Sequence, residues 1–178
     1  MIYSSFTAEN SQEVIGLFKQ VFSAAEGDDE GRVIAQLVTD IITTTAAEDL
    51  LGFIATQDKS IVGAIFFSRF ILPNNALAFL LSPVAVATET QGQGVGQQLI
   101  NFGLEQLKLL AVNTVVTYGD PAFYTKVGFE QIDESIIKAP FPLSQPIGWL
   151  GQSLNHQPLQ AVVGDTQCVA ALSRAEYW

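Results

Sequence analysis

Residues 86–107, "VATETQGQGVGQQLINFGLEQL", place Gly92, Gly94 and Gly96 within five positions and then run straight into a helical pattern. The apolar run "ALAFLLSPVAVA" leads into them. A strand, a glycine loop and a helix in this order constrain the fold more than any other stretch of the chain. Backbone N–H groups at a helix start have no partner inside the helix, and glycines let an anion approach them. That order predicts an α/β unit whose helix start offers an anion site, with a plain glycine-rich turn as the alternative.

The flanking elements follow from hydrophobic periodicity. Residues 1–6 read as a short strand, and Thr7 or Asn10 opens a helix with Val14, Leu17, Phe18, Val21 and Phe22 on one face. Gly27 and the acids Asp28, Asp29 and Glu30 separate it from a second helix, where Val33, Ile34, Leu37, Val38 and Ile41 repeat the stripe. Acids at that start suit the positive end of the helix dipole. "LLGFIAT" and "SIVGAIFFSRFIL" read as strands joined by the hairpin-like "QDKS". In the strand before the loop, Pro83 removes a ladder donor, which predicts a bulge or a splayed neighbour. The helix after the loop has Leu99, Ile100, Gly103, Leu104, Leu107 and Leu110 on its apolar face. "NTVVTYG" reads as a strand and "DPAFYTKV" as a short helix opened by Pro121 and ended by Gly128. "FEQIDESIIK" starts a last sheet section. After the proline-rich "APFPLSQP", the segments "IGWLGQSL", "LQAVVG" and "TQCVAAL" are strand candidates. This order points to an α/β protein with a mixed sheet.

Three uses of the glycine loop compete. A nucleotide P-loop needs lysine and Ser/Thr after its last glycine, and this loop has neither. A dinucleotide fingerprint needs a third glycine where Gln97 stands, and it belongs in a βαβ unit rather than after a hairpin. The third use is an acyl-CoA loop of the form Arg/Gln-x-x-Gly-x-Gly/Ala, which Gln91, Gly92, Gln93, Gly94, Val95 and Gly96 satisfy. A second segment, "YGDPAFYTKVGFE" at 118–130, has a short helix that carries a tyrosine and ends in Gly-Phe. Together the two resemble the GNAT superfamily of N-acetyltransferases, and within it the predicted N-acetyltransferase subgroup with a GDPAFY-type segment. The resemblance covers roughly residues 80–130; residues 1–80 match in element order only.

The resemblance implies a mixed, largely antiparallel sheet with two splayed parallel central strands, flanked by helices. It implies a single GNAT acyltransferase domain over 1–178, with acceptor-side helices in 1–80, the acyl-CoA-binding core in 81–137 and strands and tail in 138–178. The pantetheine arm of acetyl-CoA would bond to the backbone of Val84, Ala85 and Val86 as an added strand does. The pyrophosphate would rest on the amides of Gln91 through Gly96, and Phe123 would form core or cofactor wall. Tyr124 would act as general acid toward the departing thiolate, after direct attack of a neutral amine on the thioester. Many relatives carry an arginine where Gln91 or Gln93 stands, and no lysine or arginine occurs between Arg69 and Lys108. Lys126 could help with a phosphate, although a solvated surface role is its default. Relatives often have a glutamate on the strand before the loop, whereas this strand carries no acid. Glu48 and Asp49 are the substitutes within reach of the sequence; a water chain or backbone carbonyl could also accept the proton.

Composition narrows partners and location. The net charge of −10 disfavours nucleic acid and anionic membrane surfaces and is compatible with a cationic substrate such as an amine. The apolar runs are broken by Arg69 and Pro83, too short to span a bilayer, and "MIYSSFTAEN" does not read as a signal peptide. The single cysteine, Cys168, excludes an internal disulfide framework, so a reducing cytoplasm is expected. The lone His156 cannot build a zinc site, and a bound metal is not expected. Asp120, before Pro121, reads as an N-cap. The apolar tail ending "AEYW" could contribute to a homodimer. The expected function is transfer of an acetyl group from acetyl-CoA to an unidentified small-molecule or peptide amine. The alternative is an acyl-CoA-binding module that kept the fold and lost turnover. A nucleotide-dependent oxidoreductase would leave "GDPAFYTKVGF" unexplained.

Overall fold

The computed structural model describes all 178 residues. In chain order the elements are β1 (Ile2–Ser5), α1 (Ser11–Glu26), α2 (Asp28–Thr44), β2 (Leu50–Gln57), β3 (Ser60–Ile71), β4 (Leu77–Val86), α3 (Val95–Leu109), β5 (Thr114–Tyr118), α4 (Pro121–Tyr124), β6 (Glu130–Gln131), β7 (Trp149–Ser153) and β8 (Gln167–Cys168). The sheet has eight strands in the order β1-β2-β3-β4-β5-β7-β6, with β8 against β3. It is mixed: β4 and β5 pair in parallel, while β1–β2, β3–β8, β5–β7 and β6–β7 are antiparallel. No helix is long and apolar enough to cross a membrane. The chain packs as two compact units, Met1–Phe67 with Pro83–Gly103, and Ser68–Ser82 with Leu104–Trp178.

In the first unit, α1 and α2 form a tight hairpin joined by Gly27 alone, whose φ of +101° suits glycine. Asp28, Asp29 and Glu30 make up the first turn of α2 rather than a linker. There they face the positive end of its dipole. Val14, Leu17, Phe18, Ile34, Leu37, Val38 and Ile41 are buried as the periodicity predicts. Val33 departs from the prediction and is exposed, because the stripe of α2 settles on Ile34 and its i+3 and i+4 neighbours. Phe66 on β3 receives Phe18 at 6.2 Å and Phe6 edge-on at 5.2 Å between ring centroids. Between β2 and β3, Asp58 and Lys59 both have positive φ, the mark of a two-residue primed hairpin turn. The side chain of Glu13 accepts the Ile61 N–H at 2.7 Å and ties α1 to that hairpin.

In the second unit, Trp149 is fully buried, donating Nε1–H to the Ile137 carbonyl at 2.8 Å and packing against Phe70 at 6.0 Å. Trp178 stacks on Tyr118 at 6.1 Å and donates to the Leu172 carbonyl at 3.1 Å. The indole of the apolar tail is thus committed to its own chain. Leu110, expected on the buried face of the third helix, is exposed. The helix ends at Leu109, Ala111 turns the chain with φ +58°, and Val112 is buried in its place. Of the three weak strand candidates after residue 146, "IGWLGQSL" holds β7 and "TQCVAAL" holds β8, but "LQAVVG" contributes only the bridge Ile137↔Val162.

Two glycines in the helical hairpin differ in their surroundings. A Cβ on Gly31 would overlap the Ser23 hydroxyl and stand 2.7 Å from the Lys19 carbonyl oxygen, whereas one on Gly16 meets nothing within 4 Å. Gly31→Ala should destabilise the protein by about 1–3 kcal/mol through overpacking. Gly16→Ala should stabilise it by about 0.5–1 kcal/mol through helix propensity. Denaturant midpoints at unchanged slope check both, and similar shifts in the two variants would contradict the packing assigned to Gly31.

Candidate functional site

The first unit carries the glycine loop. Glycine occupies two left-handed positions in it, Gly92 at φ +75° and Gly94 at φ +80°. A side chain at either would be strained even though neither is crowded. The polar residues around them brace the loop on itself. Thr90, buried, donates its N–H and its hydroxyl to the Ala87 carbonyl at 2.9 and 3.0 Å. Gln91 donates its N–H to the Thr88 carbonyl at 3.3 Å and its side-chain amide to the Val86 carbonyl at 3.0 Å. The Gln93 side chain donates to the Glu89 carbonyl at 3.1 Å. The two loop glutamines therefore hold loop carbonyls rather than reach outward. The first helical bond of α3 is Gln98 N–H to the Gly94 carbonyl at 3.0 Å. The amides of Val95, Gly96 and Gln97 precede it and have no helical acceptor. On β4, Ala85 is buried, Val84 and Val86 are half-buried, and the strand stays attached on its β3 side through Ala87 N–H to the Val62 carbonyl at 2.8 Å.

The second unit carries the tyrosine segment. The last β4–β5 rung is Leu81↔Thr117, yet β4 runs on to Val86 and β5 stops at Tyr118. The parallel pairing therefore ends just ahead of Pro83. The missing donor of Pro83 falls beyond the last rung with β5. After β5, Asp120 caps α4 by accepting the Ala122 N–H at 2.9 Å, with Pro121 in the first turn. Gly128 closes the segment in the left-handed region at φ +90°. This short turn sets Tyr124 between Phe123 and Phe129, at 5.1 and 5.7 Å between ring centroids, both edge-on. Gly119 makes room for the ring: a Cβ there would lie 2.7 Å from Tyr124 Cε2. Burial pushes the Tyr124 phenol above its ordinary pKa of 10.0; hydrogen bonding by the Thr117 hydroxyl pulls it back and the Asp120 carboxylate adds to the rise.

The remaining candidates fall outside these constellations. Glu48 is exposed and Asp49 half-exposed, in the turn Ala47–Asp49 before β2. Lys126 is exposed in the turn after α4. His156 is exposed in a loop at φ +61°. Cys168 is half-buried opposite Phe70, and burial pushes its thiol from 9.0 up to about 11. Its thiolate at neutral pH is then about a hundredfold scarcer than on a free thiol, which makes it a poor nucleophile. Two residues had no signal in the sequence. Thr117 reads there as one more β-branched strand residue, and Gly119 as a plain turn glycine. Only the register that places Thr117 opposite Leu81, and the return of the chain that lays Tyr124 on Gly119, reveal them.

Residues 48–131 match the family described as acetyltransferase (GNAT) domain. The chain is 33% identical over 140 residues to the uncharacterized N-acetyltransferase YjhQ of Escherichia coli strain K12, across 75% of this chain and 77% of that relative. Its fold is similar to that of the GNAT family N-acetyltransferase YhbS from Escherichia coli, solved in complex with CoA. The TM-score is 0.81 at 24% identity, over 97% of this chain and 92% of that one. A GNAT family acetyltransferase from Brucella melitensis, solved in complex with acetyl-CoA, matches with TM-score 0.71 at 22% identity, over 96% of this chain and 97% of that one.

The partly desolvated phenol of Tyr124 has a thermodynamic signature. Because the folded pKa of Tyr124 lies above the unfolded one, the folded state keeps this proton longer as pH rises. The corresponding stability is complete below about pH 10 and is lost as pH climbs through the folded value. Tyr124→Phe should flatten that alkaline loss. Urea titrations at several alkaline pH values check this, and parallel curves for the two proteins would refute it.

Proposed function

Since the chain belongs to the GNAT acetyltransferase family, we propose that it moves an acetyl group from acetyl-CoA to a primary amine by direct attack of the neutral amine on the thioester. The observation that carries this reading is Tyr124, a half-buried phenol set edge-on between Phe123 and Phe129, whose pKa desolvation raises above its ordinary value. Such a group holds its proton at neutral pH and suits donation to a departing thiolate. The other groups have matching roles. Beyond the last β5 rung, Val84, Ala85 and Val86 offer strand backbone for the pantetheine amides, in the manner of strand addition. A backbone N–H near Val86 would polarise the thioester carbonyl as a preorganised donor. The amides of Gly92, Gln93, Gly94, Val95 and Gly96 would take the pyrophosphate at the start of α3, with Gln91 as the brace that shapes the loop. Phe123 would serve as cofactor wall. CoA and acetyl-CoA occur in the structures of the two similar family members, which supports the choice of cofactor.

The acceptor is an amine of small-molecule or peptide class. The net charge of −10 favours a cationic one and disfavours nucleic acid and anionic membranes. We place the protein in the cytoplasm, where acetyl-CoA is available to it.

Calorimetric titration with acetyl-CoA should give saturable micromolar binding. A panel of amines, followed by thiol release, should then find turnover that Tyr124→Phe lowers by about 10²–10⁴-fold with cofactor affinity unchanged. Binding without turnover on any amine would favour a module that only senses acyl-CoA, and no binding by folded protein would sink the cofactor assignment.

A further inference from the structure

Tyr118, the last residue of β5, reaches with its side chain to Ser144 and Gln145 in the proline-rich connection. Its oxygen accepts the Gln145 N–H at 2.6 Å and lies 2.9 Å from Ser144 Oγ, where either hydroxyl can donate. Gln145 opens the turn Pro146–Gly148, which the Gly148 N–H closes on the Gln145 carbonyl at 2.8 Å. The Gly148 carbonyl in turn accepts the N–H of Gly119, the residue next to Tyr118, at 3.0 Å. Side chain, turn and backbone thus close a ring. It is a tight one: a Cβ on Gly148 would lie 2.9 Å from the Gly119 carbonyl oxygen and 3.2 Å from Tyr118 Cε2. Trp178 backs it, stacking on Tyr118 at 6.1 Å and accepting the Ser144 N–H on its carbonyl at 2.9 Å. The ring of Tyr124 rests on the same Gly119, where a Cβ would lie 2.7 Å from Tyr124 Cε2.

Resting on the role given above to Tyr124, we infer that Tyr118 is a positioning residue for that tyrosine, acting through Gly148 and Gly119. Asp120 and Pro121 set the turn that carries Tyr124, but that turn hangs from Gly119. The ladder of β5 ends one residue earlier, at Tyr118 opposite Trp149. Gly119 is therefore held from outside the sheet, by the bond to Gly148 and by the close approach of the two backbones. Gly148 belongs to a turn whose other end hangs on the Tyr118 oxygen. Without that oxygen the Gln145 N–H loses its acceptor and the turn is free to shift. Gly119 and the ring resting on it then shift as well. A proton donor is sensitive to such movement, since a displacement of about 1 Å can cost about a hundredfold in rate. Stacking on Trp178 needs only an aromatic ring at position 118; the hold on Gln145 needs the hydroxyl.

The test separates positioning from packing. Tyr118→Phe keeps the ring against Trp178 and removes the oxygen. With acetyl-CoA and a productive amine it should lower kcat about tenfold and leave acetyl-CoA affinity unchanged in calorimetry. In a Tyr124→Phe background the same substitution should cost nothing further, because no phenol remains to be placed. Fluorotyrosine incorporation adds a readout that needs no turnover. The fluorine resonance of Tyr124, assigned by its disappearance in Tyr124→Phe, should shift in Tyr118→Phe. Gly148→Ala crowds the same ring of contacts at the Gly119 carbonyl and should shift it too; it stands in for Tyr118→Phe if that protein does not fold. Losses that multiply in the double variant, or a Tyr124 resonance unmoved in both Tyr118→Phe and Gly148→Ala, would overturn the inference. Full activity of Tyr124→Phe would instead defeat the role proposed for that tyrosine, while the resonance still judges its placement by Tyr118.

Discussion

The parallel pair β4–β5 lasts for four rungs, from Ala78↔Thr114 to Leu81↔Thr117, and then stops. Much of the molecule can be understood from that stop. A parallel pair in a largely antiparallel sheet requires a crossover, and α3 supplies it. The short overlap leaves the far half of β4 beyond the last rung with β5. Pro83, which would injure an uninterrupted ladder, falls two residues after the last rung and does no harm there. Thr117 closes the rung with its side chain, and the turn after β5 brings Tyr124 back over Gly119.

The chain also shows two ordinary structural devices, each local to its own segment. At the loop, glycines supply left-handed backbone, while Thr90, Gln91 and Gln93 consume the nearby carbonyls. A loop braced this way satisfies its own carbonyls and holds its shape. At the tyrosine, an N-cap, a proline and a left-handed glycine define a turn of fixed length. Neither device needs a cationic side chain.

The features of this design that are local in sequence were legible in it. The glycine loop, the Asp120-Pro121 start and the Gly128 stop each follow from the conformational needs of single residues, and the structure has them in place. The two-residue turn of Asp58 and Lys59 was visible as a polar break between apolar runs. What was not legible depends on register or on competition between neighbours. Val33 and Leu110 carry apolar side chains at helical spacing, but whether such a residue faces inward depends on what packs against the helix and where it ends. Thr117 depends on strand pairing over a gap of 36 residues. The loop glutamines are visible in sequence as residue types, but the direction of their side chains, toward loop carbonyls, is not.

That direction has a consequence for how the loop treats charge. Arginine-held phosphates are anchored by full ionic pairs, which added electrolyte screens. A phosphate on this loop would meet only fixed peptide dipoles at short range, where mobile ions cannot intervene. At longer range the same phosphate would approach a body of net charge −10, and that repulsion is what electrolyte would weaken. For a polyanion arriving here, a more concentrated salt solution would therefore be the more hospitable one.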